Sequence, residues 1–225
     1  MDFSFTTIII IILLIIIVYF VWTMLSSSST TVSSGGLDAS KPTPMTVTAS
    51  YSFTISTWVY VNSWDSTIPK TIVSTPKDSK SPFSLTLGNS ANNSNDLYIT
   101  IGDQSIPLKG ATSIVSIPLQ TWASIIATVN SGNSLDIYIN GKLVQTTVLD
   151  KVYGLPAGTI NVGGGIDGYI SSTFDSTPFG PQDAWNTYSS GYGSGGGSSV
   201  TDFFNKYKVR FAFVKDNVEL SRLDI

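Results

Sequence analysis

The sequence predicts an all-β protein, an antiparallel sandwich, preceded by one N-terminal transmembrane α-helix. Three observations predict this fold class: an uncharged apolar run near the N-terminus, short β-branched and aromatic runs separated by turn residues, and no long helical periodicity after residue 46. The chain has 225 residues, and the part behind the apolar run and its polar spacer suits one domain.

The apolar run covers residues 8–25 and carries no charge. As a helix rising about 1.5 Å per residue, it would span roughly 27 Å, close to the thickness of a bilayer core. A cleaved signal peptide is the alternative, but Asp2 and the lack of Lys or Arg before the run argue against it. We therefore expect a single-pass membrane anchor over residues 1–25, of undetermined orientation. The expected anchor residues are Ile8, Leu14, Val18, Tyr19, Trp22 and Leu25.

Residues 26–45 are rich in Ser, Thr, Gly and Pro. This composition has too little apolar content to pack, so it predicts a flexible stalk between the membrane and the domain. The domain is expected to cover residues 46–225.

The first predicted strand of the domain covers residues 53–61, where alternate positions starting at Phe53 form one core-compatible face and Trp58 and Tyr60 lie on the other. Bounding Pro, Gly, Asn and Asp residues delimit the next strands. These are predicted at residues 71–74, 83–87, 96–101, 113–117 and 122–130.

The clearest hairpin is predicted around Asn140 and Gly141, a pair preferred in two-residue type I′ turns. That turn would pair Ile137 with Val144 and Tyr138 with Leu143. Two strands are expected within residues 159–171, around three consecutive glycines. A helical turn or two is expected at residues 181–189, a Gly/Ser loop at 189–199, and strands at 207–214 and 218–223 that close a sheet.

Composition excludes several function classes. The chain has no histidine and no cysteine, which removes the usual general base, the Ser-His and Cys-His nucleophile pairs, and thiol chemistry. Glu219 is the single glutamate. A net charge of −3 gives no positive field for nucleic acid. We expect a non-enzymatic protein that does not bind nucleic acid and needs no cofactor.

Several side chains are candidates for binding. Trp58, Trp122 and Trp185 are expected to pack in the core rather than to act as sugar-stacking platforms, because each sits in or beside an apolar-patterned element. The expected partner contacts are Trp64 and a basic stripe, Lys206, Lys208 and Arg210, for which a solvated strand face is the alternative. Six aspartates are weighed as calcium ligands, with ordinary turn residues preferred: Asp65, Asp96, Asp103, Asp150, Asp167 and Asp175.

Three stretches together resemble the laminin-G-like, concanavalin A-like lectin/glucanase superfamily: FTISTWVYV, TWASIIATVNSGNSLDIYINGKLVQT, and the segment that begins INVGGGIDGYIS. The resemblance covers residues 46–193 and implies a jelly-roll sandwich. The glucanases of this superfamily carry two glutamates and an aspartate on one strand, which this chain lacks, and no metal site carries over.

The tail FFNKYKVRFAFVKDN resembles the end of laminin-G-like proteins of large DNA viruses of algae and protists. That resemblance implies a minor capsid protein of the virion, lying between the capsid and the internal membrane, with the lipid bilayer and other coat or capsid proteins as partners. The alternative is a membrane-anchored lectin or adhesion module that binds glycans.

Overall fold

The computed structural model describes residues 13–19, 29–31, 36–89, 92–108, 115–192, 210–215 and 218–224. The chain divides into two compact units, Ser28–Gly196 and a second unit made of Met1–Ser27 with Gly197–Ile225. The larger unit is a sandwich of two antiparallel sheets. This arrangement fits a jelly roll and confirms the all-β prediction.

The first sheet has the strand order β1-β13-β4-β9-β10-β11, with β2 also paired to β13. The second has the order β3-β12-β5-β6-β7-β8. The strands are β1 Ser29–Thr31, β2 Leu37–Asp38, β3 Thr43–Val47, β4 Phe53–Ser63, β5 Lys70–Ser74, β6 Phe83–Asn89, β7 Asn92–Ile101, β8 Gln104–Pro107, β9 Trp122–Asn130, β10 Ser134–Ile139, β11 Lys142–Val148, β12 Gly158–Val162 and β13 Asp167–Asp175.

The core lies between the two sheets and follows the predicted alternation. On β4, Phe53, Ile55 and Val59 are at most 1% exposed and belong to the core, where the Phe53 ring contacts Phe83 of the second sheet and Phe174 of β13. The rings of Phe53 and Phe83 meet edge to face at 5.9 Å between centroids, a favoured geometry for aromatic pairs. Period-2 patterning therefore identified the inner face of this strand correctly.

Part of the segment expected to be a stalk is structured. Strands β1 and β2 both pair with β13, and β3 pairs with β12 along its whole length. The expectation of a flexible stalk is wrong at these residues, because the backbone of β13 and of β12 offers hydrogen-bond partners to polar and apolar residues alike, and Met45 and Val47 of β3 are buried in the core.

The hairpin at Asn140 and Gly141 is confirmed, with φ of 50° and 74° at the two positions, as a type I′ turn requires. Tyr138 pairs with Leu143 as predicted, but Ile137 pairs with Gln145. The expected pairing of Ile137 with Val144 is wrong, because the register shifts between Ile137 and Tyr138.

Other elements differ in extent from the prediction. The strand expected at residues 113–117 is, in its described part, a single bridge between Ser116 and Asp96. The expected helical turn is confirmed as helix α2, Pro181–Ser189. It begins with proline, a residue favoured at the first position of a helix. The Asp183 carboxylate accepts the Gly180 N–H at 2.9 Å and so caps the helix. Helix α2 covers part of the outer face of the first sheet, where Ala184 packs with Ile126, Tyr138 and Phe179.

The second unit contains, in its described residues, helix α1 at residues 13–19 and strands β14 Arg210–Lys215 and β15 Val218–Asp224. The two strands pair with each other in a sheet of their own. Hydrogen bonds within a hairpin satisfy both strands locally, so strand patterning alone does not identify the partner.

Among the described residues, no helix combines the length and the apolar character needed to cross a bilayer. Of the expected anchor residues, Leu14, Val18 and Tyr19 lie in α1 with exposed side chains. Ile8, Trp22 and Leu25 lie outside the described residues.

Candidate binding groove

Four side chains form a row across the outer face of the first sheet. Asp38 of β2 pairs directly with Tyr169 of β13, Tyr169 pairs with Tyr60 of β4, and Tyr60 pairs with Trp122 of β9. Neighbouring strands lie about 4.8 Å apart, so the row is roughly 14 Å long. We call Tyr169, Tyr60 and Trp122 the aromatic row.

The aromatic row is continuous. The ring centroid of Tyr60 lies 5.5 Å from that of Trp122 and 6.4 Å from that of Tyr169, with tilted ring planes. Tyr60 and Trp122 are half-buried, whereas Tyr169 is 54% exposed. The row therefore presents aromatic surface to solvent at its Tyr169 end.

An open groove of about 730 Å³ runs along this row. Its volume is in the range of small-molecule sites, about 300–1,000 Å³. The groove combines aromatic rings with a few polar groups, a pattern typical of ligand-binding sites. It is lined by Asp38, Tyr60, Asn62, Trp122, Asp167, Gly168 and Tyr169.

A β-bulge of β4 opposite Gly168, in which Asn62 is the extra residue, shapes the floor of the groove. The register of β13 against β4 shifts between Asp167 and Gly168, and Gly168 has a φ of 154°. A Cβ atom at Gly168 would collide with the carbonyl oxygen of Tyr60, so glycine is required there. The Gly168 carbonyl also accepts the N–H of Ala39 at 3.0 Å, which fixes the chain next to Asp38.

Two exposed carboxylates and an amide line the groove beside the aromatic row. Asp167 accepts hydrogen bonds from the Ser63 hydroxyl and, at 3.4 Å, from the Asn62 side-chain amide. Asp38 accepts the Ser40 N–H at 2.9 Å. That backbone hydrogen bond, with a second contribution from the Ser40 side chain, lowers the pKa of Asp38. Within the described residues, no lysine or arginine lines the groove.

The Trp122 end of the row is covered by Tyr192. The two rings stack with centroids 3.7 Å apart and planes 16° from parallel. Gly36 makes room for this stack, since a Cβ there would collide with the Tyr192 hydroxyl. Burial raises the pKa of Tyr192. Only the side of Trp122 toward Tyr60 therefore belongs to the open groove.

The three tryptophans expected in the core lie outside it, which corrects the sequence analysis. Trp58 and Trp122 are half-buried on the outer face of the first sheet, and Trp185 of α2 is 46% exposed. Trp58 stacks on Tyr188 of α2 with centroids 5.9 Å apart. Large aromatic rings cover apolar surface outside a core as well as inside it. The size and hydrophobicity of these tryptophans therefore did not show whether they face the core or the outside of the sheet.

Trp64, an expected partner contact, is half-buried and packs against the core. The ammonium of Lys70 lies 4.2 Å from its ring centroid and donates to the carbonyl oxygens of Asp65 and Ile68. Burial lowers the pKa of Lys70, and the nearby Asp65 carboxylate opposes that shift. This is a cation–π contact within the protein, and the partner contact at Trp64 stays a prediction.

The predicted basic stripe is described only in part. Lys206 and Lys208 lie outside the described residues, and Arg210 begins strand β14 opposite Asp224.

Among the described residues, no three acidic, histidine or cysteine side chains converge as a metal site would require. The aspartates weighed as calcium ligands are hydrogen-bonded locally or in pairs. Asp65 and Asp175 cap Thr67 and Thr177 two residues on. Asp96 accepts from Ser94 and Ser116, Asp103 pairs with Lys151, Asp150 accepts from Gln104, and Asp167 lines the groove.

Most groove residues carry no functional signal in the sequence. The pattern places Tyr60 on the outward face of β4 without giving it a role, and Asp38 lies in the segment expected to be a stalk. Nothing in the sequence marks Tyr169 or Asn62 as site residues. The available signal was the pair Trp58 and Tyr60 on the face of β4 opposite the core, because two large aromatics on an outward face need a partner or a ligand.

Together, these features define a two-sheet β-sandwich that carries an open aromatic groove on the outer face of one sheet. A family model described as the concanavalin A-like lectin/glucanases superfamily matches residues 33–177. The chain belongs to this superfamily, as its resemblance to laminin-G-like domains implied.

Comparison with solved structures agrees with this fold. Domain 4 of AbnA, an extracellular arabinanase from Geobacillus stearothermophilus solved in complex with arabinotriose, superposes with a TM-score of 0.52 at 15% identity, covering 67% of this chain and 74% of that domain. The binding domain of botulinum neurotoxin serotype D superposes with a TM-score of 0.50 at 16% identity, covering 69% of this chain and 41% of that one. No curated protein matches the sequence.

Proposed function

We propose that this protein is a non-enzymatic, membrane-anchored carbohydrate-binding protein that holds glycans in the groove along the aromatic row. The observation that carries the proposal is the direct cross-strand row of Asp38, Tyr169, Tyr60 and Trp122. The arabinanase domain solved with arabinotriose has the same fold at 15% identity. That likeness supports the fold, and the groove supports the ligand class.

The chemistry of the row suits a sugar. The less polar face of a sugar ring packs on an aromatic ring, and Tyr169 offers an exposed one at the open end of the groove. Sugar hydroxyls donate and accept, and the carboxylates of Asp38 and Asp167 accept while the Asn62 amide does both. A ligand on the row therefore meets apolar contacts below and hydrogen-bonding groups beside it.

The groove lacks the features of a glycosidase. Hydrolysis needs one carboxyl group with a raised pKa as general acid and a second carboxylate opposite it. Both carboxyl groups of the groove, Asp38 and Asp167, are exposed rather than held in the apolar setting of a general acid, and the Ser40 N–H lowers the pKa of Asp38. The chain has no histidine that could act as the general acid instead. We therefore assign binding rather than catalysis to this groove.

The membrane part of the proposal rests on the sequence. The uncharged run at residues 8–25 is long enough to span a bilayer core as a helix. We propose that it holds the protein as a single-pass membrane protein. Protease protection of the full-length protein in vesicles, with recovery of an N-terminal fragment in the lipid fraction, tests this part.

The groove is tested by measuring glycan binding with full-length protein in lipid nanodiscs. A glycan array identifies a ligand, and the Tyr169→Ala variant is then titrated with it. Loss of the exposed ring removes about 0.5–1.5 kcal/mol of stacking, which weakens binding about twofold to twelvefold. Tyr51→Ala is the matched control, since Tyr51 is 64% exposed and lies outside the groove. Equal loss in both variants, or no glycan bound, would refute the proposal.

A second candidate is the minor capsid role, in which the sandwich links a protein shell to the internal membrane of a virion. It is favoured by the apolar run at residues 8–25 followed by a sandwich, the layout of the viral proteins that the tail resembles. Cross-linking of native particles before mild detergent extraction tests it. Retention with shell proteins supports this role, and complete release with the lipid contradicts it.

A further inference from the structure

The charge around the aromatic row carries an inference about the kind of glycan bound. Asp38 lies directly across from Tyr169 in the strand pairing, and Asp167 lies two residues before Tyr169 on the same strand. Both carboxylates line the same groove as the exposed Tyr169 ring. A ligand on the Tyr169 ring therefore lies beside the Asp38 carboxylate of the neighbouring strand β2. It also lies beside the Asp167 carboxylate of β13, the strand that carries Tyr169.

No lysine or arginine lines the groove in the part of the chain that the structure describes, and Lys41, whose charge acts on Asp38, lies outside this lining. Both aspartate side chains are exposed to solvent. Two like charges that line one groove repel an anionic ligand and attract a cation. An acidic sugar would also lose hydration without gaining a paired charge.

The aromatic rings of the groove strengthen its preference for a cation. A cation within about 6 Å of a ring centroid is attracted by the electron-rich face of the ring. The same chain already holds an ammonium in such a setting, since Lys70 lies 4.2 Å from the centroid of the Trp64 ring. In the groove, the ring of Tyr169 has no such cation from the described protein and is open to solvent.

We propose that the groove selects amine-bearing sugars, whose ammonium group lies over Tyr169 and pairs with Asp38 and Asp167, and that it rejects acidic ones. This inference rests on the proposed glycan-binding function and specifies the ligand class. Neutral sugars stack on the same row without the charge-assisted hydrogen bonds that an ammonium adds.

The test compares three oligosaccharides of equal length on full-length protein in nanodiscs of uncharged lipid: a glucosamine tetramer, its N-acetylated form and a sulfated form. At a pH where the amines are protonated, we expect the glucosamine tetramer to bind about tenfold tighter than the N-acetylated tetramer, because a charge-assisted hydrogen bond adds that much. The sulfated form should not bind. Added salt should reduce the preference.

The double variant Asp38→Asn with Asp167→Asn should abolish the preference for the amine, so that the glucosamine tetramer and the N-acetylated tetramer bind this variant with equal affinity. Both side chains are exposed and the change is isosteric, so folding is retained and is checked by thermal unfolding. Asp78→Asn is the control, because Asp78 is exposed and lies outside the groove.

The outcomes separate the two proposals. Equal affinity for the amine and N-acetylated tetramers, or tight binding of the sulfated one, overturns the charge preference and leaves glycan binding intact. Absence of binding to any glycan overturns glycan binding itself. A lysine peptide that binds as tightly as the glucosamine tetramer overturns the assignment to a sugar, since the amine alone would then account for affinity.

Discussion

Substitution of Gly168, which lies opposite the bulge, gives the sharpest prediction. Gly158 serves as a matched control, because alanine there has the same backbone strain but no collision of its Cβ. Gly168 has a φ of 154° and a Cβ there would collide with the Tyr60 carbonyl oxygen. Gly158 has a nearly equal φ of 145°, and a Cβ there would meet no atom within 4 Å. Alanine at either position adopts a strained backbone, at a cost of about 1–3 kcal/mol.

Only Gly168→Ala must also move the backbone. The shift would weaken the hydrogen bond from the Ala39 N–H to the Gly168 carbonyl and at least one neighbouring bond between β13 and β4. Each bond contributes about 1 kcal/mol. We therefore expect Gly168→Ala to lower the free energy of unfolding by about 2 kcal/mol more than Gly158→Ala does.

Urea unfolding of both full-length variants, followed by tryptophan fluorescence, measures this difference. Because the bulge positions Tyr169 and the chain beside Asp38, Gly168→Ala should also lose glycan affinity while Gly158→Ala keeps it. Equal destabilisation by the two variants, with equal affinity, would refute the account of the bulge.

Two further predictions concern buried neighbours of the groove and of Trp64. Gly36→Ala should push Tyr192 off Trp122, because its Cβ would collide with the Tyr192 hydroxyl. The indole N–H resonance of Trp122 should then shift, whereas Gly102→Ala, which has a φ of 57° and open space, should leave it unchanged. The lowered pKa of Lys70 means that the folded state binds fewer protons than the unfolded state between that pKa and 10.5. Stability should therefore rise with pH in that window, and Lys70→Met should remove this part of the rise when unfolding is measured at alkaline pH.

Much of the sandwich could be predicted from local pattern. The alternation from Phe53 marks the buried face of β4, and Asn140 with Gly141 marks the β10–β11 turn because both positions need a positive φ. These features depend on neighbouring residues alone. The family resemblance then supplied the arrangement of the two sheets.

The groove could not be predicted, because it depends on pairings between distant strands. Asp38 joins the site through its pairing with Tyr169, and nothing in the polar segment around it indicates that partner. The extra residue Asn62 of β4 shifts the pairing of β4 with β13, so that Tyr169 lies opposite Tyr60. A shift of one residue reverses the face of every later side chain, so strand patterning alone does not fix such a site.

The most direct test of glycan binding by the aromatic row uses the tryptophan side chains as reporters. The chain has five tryptophans, so the indole N–H spectrum of full-length protein in nanodiscs has few signals, each assigned by Trp→Phe substitution. Titration with the tightest tetrasaccharide should shift the Trp122 signal and leave those of Trp64 and Trp185 unchanged. A shift confined to Trp185, or binding with no change at Trp122, would contradict the account.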